Sequence, residues 1–240
     1  MAALAMRMAV RSDASRIFLG QMSKIVLGGY STLLSVGETE WLDFHIRRGS
    51  NPRLLQLALR DCKNKYRNGP SCGRKRWEEC LRGRYLLRGV LDAASAHRKN
   101  DLAVNVTRFG KPVISGEDLY VSISHDGTYV VAAVAEGIEI GIDLQVPFEV
   151  SPTFAKRWGI YIPQSTGSDA ARMLAAEQWS VKEAISKVRG SGIVDLPHKL
   201  DVANERRGRS DGINWIKLDS NNAFGLAIAY MAPTSAVVSA

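Results

Sequence analysis

The chain is poor in cysteine: three in 240 residues, at Cys62, Cys72 and Cys80. No CxxC pair and no neighbouring histidine accompanies them, which argues against a disulfide framework and against a zinc site. The reading is a reducing compartment and mostly inert thiols. Long hydrophobic runs are also missing. No stretch of about 18 apolar residues occurs, so no membrane-spanning helix is expected. The uncharged tail 220–240 is interrupted by Asn221, Asn222, Pro233 and Thr234, and its apolar part, 223–232, reads as a strand. Walker A, GxGxxG, HExxH and GxSxG patterns are absent. With 45% hydrophobic and 23% charged residues, the composition is that of an ordinary globular chain with a real core.

Charge is present and unevenly placed. Residues 1–100 carry a net +11 and residues 101–240 a net −3, which makes the overall +8. The basic part should attract an anion: a nucleic acid, an acidic protein or a polyphosphate. The N-terminus, with Arg7, Arg11 and Arg16 against Asp13, has a weak likeness to a mitochondrial presequence. An ordinary basic terminus and a cytoplasmic location are the preferred reading.

Two helices stand out. Residues 75–96 place Trp77, Cys80, Leu81, Tyr85, Leu86, Val90 and Leu91 on one stripe. Residues 169–188 form the second, with Ser168 as a candidate N-cap and Gly190 as a stop signal. Strand-like segments follow each helix: 102–107, 120–124 and 129–135 after the first; 200–203, 213–218 and 224–231 after the second. Asp126-Gly127 and Asn221-Asn222 supply turns. Helix followed by three strands thus occurs twice at similar spacing, which suggests a diverged duplication of one α+β unit. Between the units, 144–166 reads as an irregular connection with a helical turn near 154–158. Near the start, a strand at 25–27 and helices around 39–47 and 53–59 are expected.

Four short segments carry candidate chemistry. Phe109-Gly110-Lys111-Pro112 can bring a backbone and an ammonium to a phosphate, or be a plain turn. Ser122-Ile123-Ser124-His125 places both serines on one strand face; adjacent residues point apart, so no Ser-His-Asp triad arises here. Gly141-Ile142-Asp143 sets a carboxylate at a strand end, as a metal ligand or a loop cap. In Trp179-Ser180-Val181-Lys182-Glu183-Ala184-Ile185-Ser186-Lys187, Trp179, Glu183 and Lys187 share one helix face, as a site or as an exposed ion pair.

Taken together and in this order, GKP, SISH, GID and WSVKEAISK resemble the 4′-phosphopantetheinyl transferase family, in its larger, monomeric, pseudo-dimeric branch. Gly83–Arg88 also resembles part of that family's first long helix. The resemblance implies an α+β fold of two similar subdomains in pseudo-twofold arrangement, with the active site at their interface. Residues 1–137 would form the basic subdomain that binds the coenzyme A phosphates, and 138–240 the subdomain with the metal site and the catalytic helix. The implied reaction moves phosphopantetheine from coenzyme A to a serine of an apo acyl or peptidyl carrier protein. It depends on Mg²⁺ and releases adenosine 3′,5′-bisphosphate. The partners would be coenzyme A and an acidic carrier domain, such as that of fatty-acid synthesis, with no nucleic acid and no membrane span.

The resemblance also implies roles. Asp143 and Glu183 would bind Mg²⁺, and Glu183 is the candidate base for the carrier serine. Lys187 would reach the pyrophosphate, with Lys182 as a secondary charge nearby. Ser124 and His125 would hold coenzyme A phosphate oxygens, and Phe109, Gly110 and Lys111 would line its adenine and 3′-phosphate end. Arg67 is the first choice for the 3′-phosphate among Lys63, Lys65, Arg67, Arg74, Lys75 and Arg76. Trp179 is expected to pack the helix rather than touch substrate. One departure stands at Gln145, where many members have a second carboxylate; an amide there adds no charge to a metal site. A basic nucleic-acid-binding module and a catalytically degenerate family member are the alternatives.

Overall fold

A computed structural model describes residues 22–27, 30–66, 73–94, 102–192, 200, 202 and 205–231. The expectations for Arg67, for Cys72, for the basic N-terminus and for residues 232–240 lie outside the described residues. Strands β1 (Met22–Leu27) and β2 (Tyr30–Glu38) open the chain. Helices α1 (Thr39–Arg48), α2 (Pro52–Lys65) and α3 (Arg74–Ala94) follow. Strands β3 (Val104–Val106) and β4 (Pro112–Ile114) form a small hairpin, succeeded by β5 (Leu119–Asp126), β6 (Tyr129–Glu136) and β7 (Glu139–Gln145). Helices α4 (Pro152–Trp158) and α5 (Ser168–Arg189) precede β8 (Arg207–Ser210), β9 (Ile213–Lys217) and β10 (Gly225–Met231).

All pairings are antiparallel. One sheet has the order β1-β2-β6-β5 and the second β7-β10-β9-β8. Strand alternation sorts side chains between two faces of each sheet. In β6, Val131, Ala133 and Ala135 join Ile140, Ile142 and Leu144 of β7 and Leu226 and Ile228 of β10 in one core between the sheets. The opposite face of β6, with Val130, Ala132 and Val134, packs on Leu86, Leu87 and Val90 of α3. The opposite face of β10, Ala227 and Ala229, packs on Val181, Ala184, Ile185 and Val188 of α5. The layers therefore run helix, sheet, sheet, helix, and the fold is mixed α+β. No helix among the described residues is long and apolar enough to cross a membrane.

The expected elements appear with several changes: β4 and β8 were not expected, and α2 runs on from the expected 53–59 to Lys65. Helix α5 begins one residue early, so Gly167 occupies the N-cap position without a side-chain bond and Ser168 is its first helical residue. Gly190 does end it, in the left-handed conformation at φ 71°. The strand expected at 200–203 is absent from Leu200 and Val202, the two of its residues that are described. Strand β2 was not expected from its sequence and forms the second position of the first sheet.

Two glycines press α5 onto its sheet. A Cβ at Gly141 would stand 2.1 Å from the carbonyl oxygen of Ala184, and one at Gly225 would stand 2.4 Å from that of Ala176. With both side chains absent, helix backbone rests directly on β7 and β10. Residues 183 and 187 then reach β7 with their side chains.

Candidate active site

The site forms where the β5 edge of the first sheet meets the β7 edge of the second. Neither strand ladders with the other; side chains bridge them instead. The backbone N–H of Ile142 donates to Ser122 Oγ at 2.9 Å, and Ser124 Oγ donates to Asp143 Oδ1 at 2.6 Å. Alternation along SISH places both hydroxyls on this seam, as the sequence indicates.

Asp143 is 2% exposed. Its Oδ1 accepts the Ser124 hydroxyl and the Lys187 ammonium, the latter at 2.6 Å. Lys187 also donates to the carbonyls of Ile142 and Ile123, at 3.0 and 3.3 Å. One ammonium thus touches both edge strands and the buried carboxylate. The second oxygen, Asp143 Oδ2, is buried with no hydrogen-bond partner among the described residues. Such an atom costs about 1–3 kcal/mol, and more when charged, unless something binds it.

Glu183 lies one turn before Lys187 on the same helix face. Its carboxyl is pushed up from 4.5 to about 7, first by burial, then by the negative charge of Asp143. The Lys187 charge and a hydrogen bond from Trp179 oppose the rise. Two carboxylates are therefore held together at a cost that a cation would relieve. Trp179 also packs against the rings of Phe154 and Trp158, so it supports the helix and the carboxylate together; its bond to Glu183 was not foreseen from sequence.

His125 ends the same stretch of β5. Its ring is open to solvent on one side, while the cleft around it and the charges of Lys187 and Lys65 lower its pKa; Glu79 and Asp126 oppose that. A hollow of about 570 Å³ lies between the end of α2 and the β3–β4 hairpin. Asn64, Lys65, Asn105, Val106, Thr107 and Arg108 line it, a polar and basic set without an acid, suited to an anion. Phe109 and Gly110 are exposed at the tip of that hairpin, with the Arg108 guanidinium over the Phe109 ring. Asn64 and Arg108 carried no motif, so sequence reasoning did not reach them.

Two lysines are placed elsewhere than expected. Lys111 does not line the hollow. It is ion-paired with Glu139 and donates to the carbonyl of Val188 at 3.0 Å, because the carboxylate at the start of β7 and the open carbonyls ending α5 both draw an ammonium. Lys182 is fully buried and donates to the carbonyl of Leu200. It stands a step of 100° round the helix from Glu183. Gln145 engages the carboxylate of Asp126 through its amide nitrogen.

The arrangement fits a small, hard divalent cation. Asp143 Oδ2 has no other partner, Glu183 faces it, and both are oxygen donors. Among the described residues no group of three or more His, Cys, Asp and Glu side chains is assembled. Two carboxylates suffice for Mg²⁺, which usually completes its shell with substrate phosphate oxygens and water. No family model and no curated protein matches the chain.

Proposed function

We propose that the protein is a 4′-phosphopantetheinyl transferase of the two-subdomain type. The observation that carries this reading is the triplet Asp143, Glu183 and Lys187. It comprises an orphaned buried carboxylate oxygen, a second carboxylate raised to about 7, and an ammonium held at 2.6 Å from the first. The residues come from two separate motifs and meet at one seam. The two helix-backed sheets are read as diverged copies of one unit, with the site between them.

The reaction requires attack of a carrier serine hydroxyl on the β-phosphorus of coenzyme A. The new bond joins the serine oxygen to that phosphorus; the bond to the adenosine bisphosphate oxygen breaks, and that oxygen leaves with the electron pair. Asp143 and Glu183 would hold Mg²⁺, which supplies charge neutralisation at the pyrophosphate. Glu183 accepts the serine proton directly or through water, and a basicity near neutrality suits that task. Lys187 contributes positive charge beside the transferred phosphoryl group. Ser124 orients Asp143, and His125 with Lys65 and the basic hollow receives the remaining phosphates. The positively charged first hundred residues favour both the coenzyme and an acidic carrier domain.

The test is direct. The protein is incubated with coenzyme A, Mg²⁺ and several apo carrier domains, of acyl and of peptidyl type. A phosphopantetheine mass increase on the carrier serine is expected. No transfer to any of them would reject the reading.

A further inference from the structure

Helices α2 and α3 lie side by side, and polar side chains are buried between them. Asp61 and Arg88 make a two-pronged ion pair, with both contacts at 2.7 Å. Further along the same seam, Cys62 Sγ donates to Cys80 Sγ at 3.0 Å. Both thiols are free. Closing to a sulfur–sulfur bond of about 2.05 Å needs roughly 1 Å of side-chain movement. Cys62 is 0% exposed and Cys80 8%, so Cys80 is the one that a small reagent reaches.

The surroundings distinguish the two sulfurs. Arg84 stands one turn from Cys80 on α3. It is 3% exposed, its Nη1 has no hydrogen-bond partner, and it has no carboxylate partner among the described residues. A buried guanidinium is costly without a counter-anion. Cys80 as a thiolate is that anion: Arg84 bonds to it and Lys65 adds a second positive charge. The bond donated by Cys62 and these two charges lower the Cys80 pKa against the effect of burial, while the same contact, burial and the Asp61 charge raise that of Cys62. One thiol is prepared to attack and the other keeps its proton until it is needed.

We propose that Cys62 and Cys80 form a reversible disulfide that staples α2 to α3 when the protein meets a peroxide. The Cys80 thiolate attacks one oxygen of hydrogen peroxide. The O–O bond breaks, giving a sulfenic acid on Cys80 and hydroxide. Cys62 sulfur then attacks Cys80 sulfur, the S–O bond breaks, and the departing oxygen leaves as water with the Cys62 proton. Two thiols are oxidised and the peroxide is reduced to two waters; a dithiol reductant reverses the change. The bond joins positions 18 residues apart and fixes the end of α2, where Lys65 borders the basic hollow. This inference stands apart from the proposed transfer activity.

The experiment uses the reduced full-length chain, treated with stoichiometric hydrogen peroxide. The expected product has lost two hydrogens, yields a tryptic peptide joining Cys62 to Cys80, and leaves one of the three cysteines open to alkylation. Its apparent Tm is higher by roughly 5 °C or more, and dithiothreitol restores the original. Cys72→Ser should oxidise as the wild type does. Cys62→Ser should stop at a sulfenic acid on Cys80, trapped by dimedone. In Cys72→Ser, alkylation of Cys80 should reach half its maximal rate at a pH below the ~8.5 of an ordinary thiol. The proposal is overturned by a linkage through Cys72, by sulfinic acid on wild-type Cys80 with Cys62 still free, or by a disulfide that leaves Tm unchanged. Thiols unreactive until the chain unfolds would overturn it equally.

Discussion

The two long helices rest on similar antiparallel sheets and use their polar residues in opposite ways. Helix α3 turns its buried charges, Arg84 and Arg88, toward a second helix, α2, and keeps large aliphatic side chains for the sheet. Helix α5 meets the short helix α4 through the rings of Trp179, Phe154 and Trp158. It sits on its sheet with backbone against Gly141 and Gly225, and aims Glu183 and Lys187 past the sheet edge at Asp143. On the first side the Arg88 charge is neutralised at once, by Asp61, while Arg84 has no carboxylate partner among the described residues. On the second buried charge is left partly open, with Asp143 Oδ2 unpartnered and Glu183 raised. A closed ion pair serves folding; an open one is where a ligand can act.

That contrast can be broken at either end. The largest effect is expected from Glu183→Gln, which removes one proposed metal ligand and the proposed proton acceptor. Transfer to an apo carrier should fall by roughly 10²–10⁴-fold while the circular dichroism spectrum is unchanged; wild-type turnover would remove Glu183 from the mechanism. Asp61→Ala strips the closed pair and leaves Arg88 buried and unmatched. Its urea midpoint should drop by the equivalent of about 3–5 kcal/mol, and a loss below 1 kcal/mol would show that the seam tolerates a bare guanidinium. Gly141→Ala places a methyl group against helix backbone that cannot step aside. Stability should fall by about 1–3 kcal/mol, with a disproportionate loss of transfer because Glu183 and Lys187 move with α5; equal activity per folded molecule would argue that their placement is not tightly set.

The smallest effect is a pH dependence. Glu183 has its folded pKa raised from 4.5 to about 7. Its contribution to stability is therefore fully present below pH 4.5 and is lost as the pH rises through about 7. With a chelator present, the Tm difference between wild type and Glu183→Gln should move against the wild type across that window. A flat difference would mean that neither burial nor the Asp143 charge raises the Glu183 carboxyl.

Much of the α5 side was readable from sequence because its information is local. WSVKEAISK fixes which residues share a helix face, and SISH fixes which hydroxyls share a strand face; that the glycine of GID is where helix meets strand emerges only from the fold. The strands of both hairpins and the bounds of both long helices follow from the same short-range patterns. What was missed depends on partners distant in the chain. Nothing in GKP announces that Lys111 will be drawn to Glu139, and nothing around Lys182 announces the Leu200 carbonyl. Cys62 and Cys80 look like scattered, inert thiols until two helices bring them to 3.0 Å. Asp61 and Arg88 look like surface charges on helices that in fact bury them. Strand β2, YSTLLSVGE, mixes its periods because both of its faces are covered, so alternation is lost.

The seam between β5 and β7 has a consequence for how the molecule comes apart. Its backbone link runs through the Ser122 hydroxyl and the Lys187 ammonium rather than a ladder, yet the core beneath it belongs to both sheets at once. Neither half can open without exposing the apolar face of the other, so melting is cooperative across the whole fold. The side-chain-bridged seam and the shared core together make the two sheets one folding unit.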